Sequence, residues 1–103
     1  MWVCLTDGFF SIVRDTTGED GLLVRARSPE HLRRAFPSHT MERTPGADYG
    51  WRIRTSRDEV ADVLTDRVAT LDYPNFKASV TEERLHDLYG AFWRLHWRYQ
   101  QDR

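Results

Sequence analysis

The chain has 103 residues, 40% of them hydrophobic and 13 of them aromatic, with a formal net charge of −1. That is the size of one ordinary domain with enough apolar bulk for a core, so a disordered chain and a two-domain chain are both set aside and a single α+β domain over 1–103 is expected. Near-neutral charge provides no overall field for nucleic acid or anionic lipid, and the lone Cys4 leaves no internal disulfide or cysteine-based zinc site.

The N-terminal run WVCLTDGFFSIV carries Asp7-Gly8 between two apolar stretches. This predicts a hairpin with a two-residue type I′ turn, in which Thr6 opposes Phe9, Leu5 opposes Phe10 and Val3 opposes Ile12. Val3, Leu5, Phe10 and Ile12 then share one sheet face, and Trp2, Cys4, Phe9, Ser11 and Val13 the other. Cys4, within an apolar run, is expected to be a buried, inert thiol. After the polar loop TTGEDG, residues 21–28 predict a third strand with Leu22, Val24 and Ala26 on one face and Leu23, Arg25 and Arg27 on the other.

Ser28-Pro29-Glu30 predicts a helix start, with Ser at the N-cap and Pro at the first helical position, and Pro37 ends that helix. A second hairpin follows, Thr40–Thr44 and Tyr49–Thr55 joined through Pro45-Gly46-Ala47-Asp48. Trp51 and Ile53 point one way in it, Arg52 and Arg54 the other. Ser56-Arg57-Asp58-Glu59 predicts a capping box. Val60, Val63, Leu64, Val68 and Leu71 stripe the helix behind it. Thr81 caps a last helix whose core stripe is expected to be Leu85, Leu88, Phe92, Leu95 and Tyr99. The order β-β-β-α-β-β-α-α predicts an antiparallel sheet of four to five strands with helices packed on one face.

Three groups of residues stand out. Arg25, Arg27, Arg52 and Arg54 would share the sheet face away from the helices, with Trp2 and Phe9, if their strands are neighbours. Arginine with aromatics on an open sheet face can bind nucleic acid or an acidic partner, while a solvated face with internal ion pairs is the plainer outcome. The last helix carries a surplus stripe of His86, Gly90, Trp93 and Trp97, which either wedges into the core or faces a partner. Between the last two helices, Tyr73, Pro74, Asn75 and Phe76 predict a tight structural clasp, with Lys77 in solvent. The competing reading has Asn75 and Lys77 binding an anion. His31, His39, His86 and His96 have no metal-ligand spacing and are expected at or near the surface. No motif for nucleophilic catalysis or phosphate binding occurs, so no catalytic residue, metal or cofactor is assigned.

The segments MWV, FFSIV, LLVRAR, DYPNFK with SV just after, and LHDLYGAFW resemble a widespread group of small, uncharacterised bacterial proteins of about this length. The resemblance spans most of the chain, and DYPNFK is its most specific piece. It implies no activity and no site residue.

The sequence therefore points to a small non-catalytic protein-binding module in the cytoplasm, with no signal peptide and no membrane span expected. Its partner would be another protein or a second copy of itself. A regulator, or a phage-type inhibitor of a host defence complex of the anti-CRISPR kind, fits that size and lack of motif. The alternatives are a nucleic-acid-binding domain using the arginine face and a small enzyme with a site at the DYPNFK corner.

Overall fold

A computed structural model of the chain describes residues 1–18 and 20–101. It has two compact units, Met1–Leu71 and Asp72–Arg103.

The first unit is built on β1 (Trp2–Leu5), β2 (Gly8–Arg14), β3 (Gly21–Ala26), β4 (Glu42–Arg43) and β5 (Trp51–Ser56). They form one open antiparallel sheet in the order β1-β2-β3-β5-β4. Helix α1 (Pro29–Ala35) and helix α2 (Arg57–Ala69) cover one face. Alternation along the strands supplies that face: Phe10 and Ile12 from β2, Val24 and Ala26 from β3 and Ile53 from β5 pack with Leu32, Ala35, Phe36 and Val60 of the helical segments. The α+β class and the element order are those the sequence predicts.

The first hairpin differs in register. Val3 pairs with Phe10, Cys4 with Phe9 and Leu5 with Gly8, so Thr6-Asp7 makes the turn and Gly8 belongs to the strand. The shift from the expected pairing is two residues, so every side chain keeps its predicted face. No described non-glycine residue has positive φ, and Gly46 is the one described glycine that does, so the turn is not of the primed type. Arg34 of α1 donates to the Asp7 carbonyl at 3.0 Å, and Arg67 of α2 reaches the Asp7 carboxylate at 3.1 Å. Contacts from both helices, not turn chemistry, pin this corner.

Gly8 owes its identity to packing. A Cβ there would lie 3.1 Å from the His31 Cβ and 3.1 Å from the Phe10 ring. His31, expected near the surface, is 6% exposed and accepts a hydrogen bond at Nδ1 from the Phe9 N–H at 3.2 Å. The close approach of α1 to β2 buries it. Cys4, expected inside, is exposed on the edge strand β1, although its cross-strand partner Phe9 on the same face is buried. Partial burial of the thiol still raises its pKa, so it is protonated at neutral pH and not an activated nucleophile.

In the second hairpin Pro45 and Gly46 occupy the central positions of a turn closed by Ala47 N–H to the Thr44 carbonyl at 3.2 Å, and Gly46 has φ +81°. Pro followed by Gly at positive φ is the type II arrangement. The Ser56 side chain caps α2 by accepting from Glu59 N–H at 3.1 Å. The stripe on α2 is buried at Val60 and half-buried at Val63 and Leu64, but Val68 and Leu71 are exposed. The core served by this helix ends at Leu64. No described helix is long and apolar enough to cross a membrane.

Gly8→Ala is expected to destabilise the fold by about 1–3 kcal/mol, the usual cost of forcing a methyl into a packed contact. Gly50→Ala, where an added Cβ meets nothing within 4 Å, is expected to stay within about 0.5 kcal/mol of the parent. Urea denaturation of the two variants measures the contrast.

Candidate functional site

The second unit holds the one-turn helix α3 (Phe76–Ser79) and the long helix α4 (Glu83–Gln101). Tyr73 precedes proline and is kept from helical geometry. Asn75 then acts as the N-cap of α3, its side-chain oxygen accepting from Ala78 N–H at 3.0 Å. The Phe76 ring meets Tyr73 at 5.8 Å between centroids and Tyr89 of α4 at 5.0 Å, and Tyr89 meets Phe92 at 6.1 Å. A chain of four rings thus ties the DYPNFK corner to α4. Asn75 is occupied as a cap. Lys77, expected in solvent, places its ammonium 4.5 Å from the Trp93 ring centroid.

Helix α4 starts at Glu83, so Thr81, expected as its cap, lies one residue before the N-cap position; the helix has apolar residues over about half its circumference at 3.6 residues per turn. The structure buries the middle of that arc. Leu85 and Tyr89 are fully buried and Phe92 half-buried. Leu88, Leu95 and Tyr99, expected in the core, are exposed on one flank, Tyr99 by 76%. Trp93 and Trp97 form the other flank, 50% and 49% exposed, with their rings 6.0 Å apart and 3° from parallel. His86 is exposed and Gly90 half-buried. The buried line takes Leu85 and Phe92 from the predicted core stripe and adds Tyr89, which belonged to neither stripe and is the α4 residue that sequence reasoning missed. Its spacing of four from Leu85 was the available signal.

Trp93 and Trp97 lie on a stretch of α4 whose charged residues are cationic. Residues 88–101 contain Arg94 and Arg98 and no acidic side chain, and Lys77 stands over Trp93. The tryptophan pair is thus an apolar platform edged by positive charge.

The arginine face is also assembled. Arg25 lies directly opposite Arg52 in the β3–β5 pairing, and Leu23 opposite Arg54. Trp2 and Phe9 are on the same face, their rings 5.7 Å apart. The four arginines are not equivalent. Arg54 donates to Asp15 at 2.6 Å and to Glu42 at 3.2 Å. Arg25 and Arg27 lie over the buried Tyr49 ring at 4.8 and 4.3 Å. Nothing in the sequence marked Tyr49 as their shared platform.

One cluster has the residue types of a nucleophilic triad. His39 Nε2 is 2.7 Å from Glu59 Oε2 and 3.4 Å from Thr55 Oγ1, and Thr55 also donates to Glu59. A triad needs the base to use one ring nitrogen for the nucleophile and the other for the acid. Here both partners meet the same nitrogen, and the carboxylate itself accepts the hydrogen bond from the hydroxyl. This is a stabilising network at the start of α2. An open apolar groove on α2 is lined by Leu64, Thr65, Val68 and Ala69 and carries no titratable group. Among the described residues no group of three or more His, Cys, Asp or Glu side chains is arranged to hold a metal ion.

No protein-family model, curated protein or solved structure matches the chain.

Asp15 is buried and accepts from Thr17 N–H at 2.9 Å and Thr17 Oγ1 at 2.7 Å, as well as from Arg54. These contacts, the Thr17 hydrogen bonds foremost, hold its carboxyl below the ordinary aspartate range. Glu59 is lowered in the same way by Thr55 and then His39. A lowered folded-state pKa means that the unfolded chain takes up the proton first. The stabilisation is therefore complete above the ordinary carboxylate range and lost as pH falls through the lowered values. Asp15→Asn is expected to flatten the rise of stability with pH below about pH 4. Urea midpoints measured at successive pH values test this, and an unchanged slope would contradict it.

Proposed function

We propose that this protein is a non-catalytic binding module that docks another protein on the Trp93–Trp97 flank of α4. The observation that carries the reading is the stacked pair of tryptophans, each half exposed, on a helix whose buried line lies elsewhere. Half of a tryptophan side chain left in water forgoes about 2–3 kcal/mol of burial, so a partner that covers both rings has a substantial apolar return. Tryptophans in such positions dominate binding energy when they are covered. Lys77 over the Trp93 ring favours a partner surface with an apolar pocket and an acidic group at its rim. A regulator, or an inhibitor that occupies the surface of a host defence complex, is the class that fits a small domain of this kind.

Affinity capture with the tagged wild-type chain, Trp93→Ala and Trp97→Ala tests the reading, with folding of each variant verified by circular dichroism and nuclease included. A stoichiometric protein that survives nuclease is expected, with affinity reduced about 30-fold in Trp97→Ala, the loss typical of a hot-spot tryptophan. Equal capture by the folded variants rejects the proposal, as does a bound set that disappears with nuclease. Light scattering separates a second copy of the chain from a foreign partner.

A further inference from the structure

The β3–β5 pairing creates an electrostatic imbalance on the sheet face opposite α1 and α2. Arg25 and Arg52 are direct cross-strand neighbours, an arrangement that repels for like charges, and Arg27 follows two residues along β3's direction. Their polar contacts all end on neutral acceptors. Arg25 donates to Ser11 Oγ at 2.7 Å, Arg52 to the Tyr49 carbonyl at 3.2 Å, and Arg27 to the Asp48 carbonyl. Among the described residues no carboxylate forms an ion pair with any of the three. The acids that pair on this face, Asp15 and Glu42, both go to Arg54. Glu42 even stands opposite Arg52 in the β4–β5 pairing and still turns to Arg54. The Nε atoms of Arg25 and Arg52 are buried without a hydrogen-bond partner. Three permanent cations are therefore held together with more donors than acceptors.

They are also held in place. The guanidiniums of Arg25 and Arg27 lie over the Tyr49 ring, which is itself buried, and Arg52 is tied to that residue's backbone. Contact with an aromatic ring restricts the orientation of a guanidinium, and Arg27 is the exposed member of the three. Arginines positioned in advance lose little side-chain freedom when an anion arrives.

We propose that Arg25, Arg27 and Arg52 form a binding site for a phosphate group. A carboxylate brings one charge and two oxygens. A phosphate group brings up to two charges and at least two unesterified oxygens, which matches three guanidinium forks better. The proposal uses none of the residues of the α4 flank, so its failure leaves the protein-docking reading standing, and the reverse also holds.

The test is a titration of the full chain followed by NMR at the arginine Nε–H signals. The probes are inorganic phosphate, adenosine monophosphate and a single-stranded oligonucleotide, each compared with sodium chloride at matched ionic strength. Saturable shifts at Arg25, Arg27 and Arg52 are expected with phosphate and not with chloride. Arg27→Gln, at an exposed position that spares the fold, is expected to weaken binding about tenfold. Arg33→Gln, on the outer side of α1, is expected to leave it unchanged. Equal affinity for the three probes per phosphate assigns the site to a free phosphate or nucleotide. A much tighter oligonucleotide that still depends on Arg27 assigns it to a polynucleotide backbone. Shifts that match those of chloride, or binding indifferent to Arg27→Gln, overturn the proposal.

Discussion

The antiparallel register of β3 against β5 is the constraint on which the first unit depends. These strands are not consecutive; α1 and β4 lie between them in the chain. Their pairing puts Val24 against Ile53 on one face, both almost wholly buried, and Arg25 against Arg52 on the other. The same ladder thus closes the hydrophobic core and collects the cations. A slip of one residue would exchange the two sets, burying guanidiniums and exposing valine and isoleucine. The apolar face specifies the register, and the arginine cluster is its necessary consequence on the reverse side. Tyr49 and the ion pairs of Arg54 absorb part of that charge density, and the remainder is what an anionic ligand would meet.

The second unit shows a different balance. Helix α4 has more apolar circumference than its neighbours within the unit can cover. Phe76, Tyr89 and Phe92 form the ordered ring contacts, and both flanks of the arc are left exposed. The tryptophan flank is the more organised, since its rings stack on each other and carry a lysine above them. Exposed apolar area of this kind is what the proposed docking would cover. The two surfaces offer different chemistry: the α4 flank is apolar with a cationic edge, and the sheet face is cationic with an aromatic support.

Several local rules in the sequence held, although Thr81 does not cap α4 and Ser28 sits at the N-cap of α1 without a side-chain bond. Ser56 caps α2 as its spacing with Glu59 demands, Pro29 starts α1, and Pro45-Gly46 turns the second hairpin. Strand alternation assigned the faces of β2, β3 and β5 correctly. It did so even where the register was off, because a shift of two preserves the side on which each residue points. The misplaced residues have a common cause. Asp7-Gly8 reads as a turn, yet Gly8 is needed where His31 approaches the strand. His31 reads as a surface residue, yet the descent of α1 onto β2 buries it. Val68, Leu71, Leu88, Leu95 and Tyr99 continue an apolar period past the point where anything covers them.

The sequence by itself determined the types of the elements apart from the one-turn α3, the faces of the strands and the absence of a linear catalytic motif, because these follow from side-chain period, caps and turn residues only a few positions apart. Tertiary structure alone decided which arginines would be neutralised, that Tyr49 would support two of them, and which line of α4 would be buried. Those outcomes depend on contacts between residues as far apart as Asp15 and Arg54, or Arg25 and Tyr49. An apolar period shows that a side chain is able to be buried. Only the packed neighbours determine whether it is.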